Sequence, residues 1–321
     1  ICYRVDGGGA FGLGHVYRAA TLAGHHPLHE ITLAMDEAGY PAGVALARAL
    51  GLQIATTNAA DDECWRTMLQ ATQPAIVILE VGPTDAARVI DLIEHGYFLA
   101  TWEDRGPGAA HAHLMFNDLD LPASHGPQRF QGDAYAVVRD EFHNLPEPVP
   151  VRDTIQRAVL TFGGTDPSRY GPLAAQFLAQ RGVSADWIIG PAATRGLAVP
   201  GVVIHEQPRF LSVLFQQADI AITSCGRTTY ELAACGTPMI CWPQNDHERL
   251  HVPLAESLGA VVIGTPLTPT LEAAWTLVQA HAQRRSMRAQ GQRHDWGMGA
   301  ERFWQIVETG YREWCRAHGR E

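Results

Sequence analysis

The chain has 321 residues, 46% of them hydrophobic and 18% charged, with a formal net charge of -10. That length leaves room for two domains with buried cores, and the acid excess excludes nucleic acid or an anionic membrane as the main partner, although backbone dipoles can still hold a local anion. The six cysteines form no C-x-x-C pair and have no metal-ligand spacing, and no apolar run approaches the roughly 18 residues of a membrane span, so the expectation is a cytoplasmic protein without a leader, membrane span, metal or cofactor.

Ile1 to Val5 reads as a short strand that enters a glycine loop, and His15 to Leu22 reads as the helix that follows. Glycines let backbone approach a ligand, and the first turn of a helix favours an anion. His15 falls where the loop enters its helix. Gly7, Gly9 and Gly12 also satisfy the G-x-G-x-x-G spacing of a dinucleotide site, with Asp36 at the end of the next strand. Against that alternative, Phe11 to Gly14 prolongs the loop.

Further strands are expected at Ile31 to Met35, Leu52 to Ala55, Ala75 to Leu79, Tyr97 to Thr101 and His113 to Phe116. Helices are expected at Ala42 to Leu50, Asp62 to Thr72 and Thr84 to His95. Short apolar runs alternating with amphipathic segments predict β-α-β units and a parallel sheet. Asn144 to Val151 is Pro-rich and reads as a linker.

A second strand then runs from Ala158 to Phe162 into Gly163-Gly164, echoing the first strand-to-glycine turn. Two such halves predict an α/β protein of two Rossmann-like domains, residues 1–147 and 148–321, facing across a cleft, with the last helix returning to the first domain. In the second half, helices are expected at Gly171 to Gln180 and Arg209 to Gln217, and strands at Trp187 to Ile189, Val202 to His205 and Asp219 to Thr223.

Ser224 to Pro243 is the most informative stretch. Gly226 permits a sharp turn, and Arg227, Thr228 and Thr229 fill the first turn of a helix ending at Gly236. Hydroxyls and N–H groups there suit a diphosphate, and Glu231 suits the vicinal hydroxyls of a sugar. The bland alternative is a capping box between Thr228 and Glu231. Met239 to Trp242 reads as a strand, and the polar loop after it places Asn245, His247 and Glu248 beyond a strand's carboxyl end, where α/β sheets bind ligands. Helices are expected at Arg249 to Ser257, Thr270 to Gln290 and Ala300 to Trp314, the last with Phe303, Ile306, Val307, Tyr311 and Trp314 on one core-packing face.

The opening Arg4-Val-Asp6 with Gly12-Leu-Gly-His-Val-Tyr-Arg18, and then Asp133 to Phe142, Phe162 to Pro167, Gly226 to Glu231 and Trp296 to Arg302, resemble in order the motifs of the PseG family. These are UDP-sugar hydrolases of pseudaminic acid biosynthesis, related to spore-coat polysaccharide proteins of the SpsG type. Glu231 to Gly259 is also similar to the nucleotide-binding half of GT-B glycosyltransferases such as the peptidoglycan N-acetylglucosaminyltransferase. The resemblance implies a GT-B fold with the nucleotide on the C-terminal domain. His15 would be the general base with Asp6 beside it. Gly226, Arg227, Thr228, Thr229, Glu231, Gly163 and Gly164 would hold the nucleotide, and Gly12, Gly14, Arg18, Asn245, His247 and Glu248 the rest of a UDP-sugar.

Two departures bear on the reaction. Glu80-Val-Gly-Pro83 stands where the family usually has Asp and an aromatic residue, and Gln244 to Glu248 replaces its usual Ala-Asp-Asn-Gln. Three functions therefore follow from the reading: a hydrolase releasing UDP from a deoxy-amino sugar, a glycosyltransferase with a glycan or protein hydroxyl as acceptor, and a non-catalytic sugar-nucleotide binding subunit.

Overall fold

The computed structural model describes all residues except 9–11, 27–29, 59–60, 120–127, 191–192, 194–197 and 321. The chain divides into two compact units, one of Ile1–Val137 with Met298–Glu321 and the other of Val138–Gly297.

The first unit runs β1 (Cys2–Val5), α1 (Gly14–Gly24), β2 (Thr32–Asp36), α2 (Pro41–Ala49), β3 (Ile54–Thr57), α3 (Asp62–Thr72), β4 (Ile76–Glu80), α4 (Ala86–Glu94), β5 (Phe98–Trp102), β6 (Leu114–Asn117) and β7 (Gln128–Gln131). Its strands form one parallel sheet in the order β3-β2-β1-β4-β5-β6-β7. Strands β1, β4 and β5 are buried along their whole length. They lie inside a sheet covered on both faces, which is why β4 and β5 read as nearly continuous apolar runs, while β1 carries a buried Arg4 paired with Asp6. Asp61 and Asp85 start α3 and α4 by accepting backbone N–H bonds from the first turn.

The second unit runs β8 (Arg157–Thr161), α5 (Tyr170–Ala179), β9 (Ser184–Ile189), β10 (Val202–Glu206), α6 (Leu211–Gln217), β11 (Ile220–Thr223), α7 (Thr228–Ala234), β12 (Met239–Cys241), α8 (Asp246–Arg249), α9 (Val252–Ser257), β13 (Val261–Val262), α10 (Leu271–Val278) and α11 (His281–Gly291). Its parallel sheet has the order β10-β9-β8-β11-β12-β13. The final helix, α12 (Gly299–Ala317), belongs to the first unit. Phe303, Trp304 and Val307 enter that unit's core, and the Trp304 indole N–H donates to the Leu22 carbonyl at 2.8 Å.

Four elements differ from expectation. Strand β7 is polar and half-exposed, so it carries no apolar signature, and β13 has only two residues. The helix expected from Arg249 starts earlier and breaks into α8 and α9, because Pro253 in the first turn of α9 cannot donate to the preceding helix. The helix expected over 270–290 is two helices. Buried Arg284 separates them by donating to the Val278 and Gln279 carbonyls at 2.6 and 2.8 Å and to the Arg152 and Asp153 carbonyls. Neither glycine nor proline marks that break. Among the described residues no helix is long and apolar enough to cross a membrane.

Candidate active site

Each sheet reverses its strand order once, between β1 and β4 in the first unit and between β8 and β11 in the second. Ligands of open α/β sheets bind at such switch points, outside the carboxyl ends of the strands. The predicted site residues gather at these two places.

At the first, α2 packs directly on the backbone of the glycine loop: a Cβ on Gly43 would overlap the Gly7 carbonyl oxygen. Gly12 has a φ of +67°, and Gly14 opens α1 without a side-chain cap from Leu13. His15 and Arg18 follow one turn apart, so both face the same side of the helix. The partner of both is Glu80, the last residue of β4, which is 2% exposed. His15 Nδ1 lies 2.7 Å from Glu80 Oε1, and Arg18 donates to the same oxygen through Nε at 2.8 Å and through a terminal nitrogen. The Tyr3 hydroxyl donates to the other oxygen of Glu80. Arg18 also reaches Glu103 at 2.5 Å and Asp118 at 3.2 Å, and its guanidinium lies 4.3 Å from the centre of the Trp102 ring.

Burial pushes the Glu80 carboxyl up, but the Arg18 charge and the bonds from His15 and Arg18 outweigh it and hold the group below the usual carboxylate range. An ionised carboxylate only accepts, so His15 Nδ1 carries the hydrogen. The 3.2 Å approach of an Arg18 nitrogen to Nδ1 is then two donors side by side on one acceptor. In the neutral ring the basic nitrogen is Nε2.

Two sequence expectations change here. Asp6 does not pair with His15; its carboxylate is bidentate to Arg4 at 2.6 and 2.7 Å and accepts the Asp36 N–H at 3.2 Å. Arg18, expected to bind substrate, is 1% exposed and sealed behind three carboxylates. Glu80 appeared in the sequence only as a departure from a family pattern, and Tyr3, Trp102, Glu103 and Asp118 carried no signal because each meets Arg18 or Glu80 only through the sheet. For the dinucleotide alternative, Gly9 lies outside the described residues, and Asp36 accepts the N–H of Gly39 at 3.0 Å, closing its own turn.

At the second switch point, Gly163 has a φ of +72°, and Gly190 presses so closely on Gly163 and Gly164 that a Cβ there would overlap their backbone. Gly226 and Arg227 form the turn into α7. Arg227 supplies no side-chain cap, and the Thr229 hydroxyl bonds the Gly226 carbonyl at 2.8 Å and is buried. Thr228 is half-buried at the helix start. No capping box forms, because Glu231 Oε1 instead accepts Arg139 Nε at 2.8 Å. Arg139 also pairs with Glu141 at 3.1 Å, and Glu141 accepts the Ser212 N–H at 3.1 Å.

In the loop after β12, Asn245 caps α8 by accepting the Glu248 N–H at 2.9 Å. Glu248 accepts the Gln244 N–H at 2.7 Å and bonds with Ser224 and Cys225, while burial holds its carboxyl above the usual range. The Gln244 amide donates to the Phe162 carbonyl at 3.2 Å. Gln244 and Glu248 therefore brace the loops after β8, β11 and β12 against one another, whereas Asn245 caps α8 and His247 is exposed on it.

Neither a protein-family model nor a curated protein sequence matches the chain. Solved structures do match it. MurG of Acinetobacter baumannii superimposes with a TM-score of 0.64 at 13% identity over 96% of this chain and 99% of its own. Phytolacca americana UGT2, in complex with UDP-2-fluoro-glucose and pterostilbene, gives 0.62 at 12% identity over 96% and 98%. The glycosyltransferase SsfS6 of Streptomyces sp. SF2575, in complex with thymidine diphosphate, gives 0.58 at 14% identity over 95% and 99%.

The chain has the GT-B fold. At these identities the likeness carries architecture and no particular reaction.

Proposed function

We propose that this protein is a nucleotide-sugar glycosyltransferase in which His15 is the general base. The observation that carries the reading is the 2.7 Å pairing of His15 Nδ1 with an ionised Glu80. A base oriented and charge-compensated in this way takes the proton of an incoming hydroxyl and is stabilised as imidazolium while it holds it. As the nucleoside diphosphate departs, negative charge builds on its phosphates. The Thr228 turn provides N–H groups for that charge, so the leaving group is stabilised by fixed dipoles. Glu231, held by Arg139 through one oxygen, presents a carboxylate for ribose hydroxyls. The UDP-2-fluoro-glucose and thymidine diphosphate bound in two of the structural neighbours support a UDP- or thymidine diphosphate-linked sugar.

A second reading rests on the ordered PseG-like motifs. The same base would then deprotonate water, giving free sugar and nucleoside diphosphate. The two are separated by incubating the protein with UDP-sugars with and without hydroxyl acceptors. Release that depends on acceptor, with the sugar recovered on the acceptor, supports the transferase. Rapid stoichiometric release in water alone overturns it in favour of the hydrolase, and tight binding without turnover of any donor makes the protein a binding subunit.

A further inference from the structure

We propose that Arg18 is a positioning residue, whose guanidinium holds Glu80 turned onto His15 Nδ1 and so decides which nitrogen of the ring is basic. This deepens the reading above and rests on His15 being the base. His15 and Arg18 stand one turn apart on α1 and converge on a single oxygen of Glu80 from the adjoining strand. Arg18 uses Nε and a terminal nitrogen on Glu80, and its remaining nitrogen on Glu103 and Asp118. Trp102 fixes the plane of the fork from its face. Only a planar guanidinium can serve these directions at once; an ammonium is a point charge.

Arg18 is 1% exposed, so it acts through Glu80 and never on substrate. A role in holding the fold is the competing account. Buried ion pairs are weak sources of net stability, since desolvation offsets most of the Coulomb gain. Three carboxylates around one guanidinium therefore make little sense as packing alone. Without Arg18, burial of Glu80 is opposed by His15 and the Tyr3 hydroxyl alone, so the carboxyl binds a proton more readily and its demand for a donor at Nδ1 weakens.

The test uses the full-length chain. Nitrogen-15 NMR of labelled histidine reports the tautomer of His15 without any turnover. Wild-type protein is expected to carry the hydrogen on Nδ1, Arg18→Met to shift toward Nε2–H, and Arg18→Lys to recover part of the wild-type signal. In parallel, Arg18→Met is expected to lower kcat by about a hundredfold with the acid limb of its pH profile displaced upward, and to add no further loss in a Glu80→Gln background. If Arg18→Met does not fold, Arg18→Lys carries both measurements, with a smaller shift in the same direction. An unchanged tautomer in a folded variant, or losses that multiply with Glu80→Gln, overturns the proposal. Wild-type protein that turns over no sugar nucleotide defeats the proposed function instead, and leaves the tautomer measurement to decide the role of Arg18.

Discussion

His15 and Glu80 stand 65 residues apart in the chain and meet at 2.7 Å across the switch point of the first sheet. The contact needs β1 and β4 to be neighbours, with the glycine loop delivering α1 to the carboxyl end of both. Glu80→Gln keeps the shape and an acceptor but removes the charge that stabilises the imidazolium. It is expected to lower kcat by about a hundredfold, and His15→Ala by about a hundred- to ten-thousandfold, with the affinity for UDP unchanged in both. Steady-state rates alongside calorimetric titration with UDP check this; equal loss of UDP binding would move His15 to the nucleotide.

Under the proposed function Glu231 receives the ribose hydroxyls. Glu231→Gln leaves the volume and one acceptor and avoids stranding Arg139, which retains Glu141. UDP is expected to bind about ten- to a hundredfold more weakly, because hydrogen bonds to a charged acceptor contribute roughly 1.5–3 kcal/mol. The comparison to make is with 2′-deoxy-UDP, whose affinity should fall less on the same substitution.

Asp6 separates stability from chemistry. Its carboxylate faces Arg4 in a buried bidentate pair, and breaking such a pair leaves an uncompensated charge at a cost of about 3–5 kcal/mol. Asp6→Asn is therefore expected to lower the denaturation midpoint strongly, while the fraction that folds turns over with near-normal kcat. Chemical denaturation combined with active-site titration distinguishes this from a catalytic role.

His113 makes the first unit sensitive to acid. Its Nδ1 accepts the Leu99 N–H at 3.0 Å and its ring stacks on Phe98 at 4.7 Å. Burial, followed by repulsion from His318, holds the imidazole below its ordinary value of 6.5. The folded state thus binds fewer protons than the unfolded chain. The contribution to stability is present above pH 6.5 and is lost as the pH falls through the lowered folded value. Asn at this position retains the acceptor without titrating. Thermal melts between neutral and mildly acidic pH should show His113→Asn losing less of its melting temperature than wild type.

Gly43 tests the packing under the glycine loop. A methyl group there meets the Gly7 carbonyl, a backbone atom that cannot swing aside. Gly43→Ala is expected to cost about 1–3 kcal/mol through overpacking and to lower turnover as well, because the displaced loop carries His15. A melting temperature and kcat both equal to wild type would remove Gly43 from that role.

Apolar periodicity and glycine punctuation, both local properties, were enough to place the alternating strands and helices, the two halves and the two strand-to-glycine turns. His15 could be proposed from the sequence because it follows the first glycine turn, and Glu231 because it follows the turn at Gly226. Strand β7 escaped because an edge strand needs no apolar run, and the break between α10 and α11 because Arg284 makes it by joining the carbonyls at the break to the distant Arg152 and Asp153 carbonyls. The partners of the site were decided by the fold alone. Asp6 meets Arg4 two residues along the chain and Arg139 reaches Glu231 on a helix, while strand order brings Glu80, Glu103 and Asp118 to Arg18 from the ends of three strands. Charge pairing at these positions is a property of neighbouring strands, and neighbours in a sheet are chosen by packing over the whole domain.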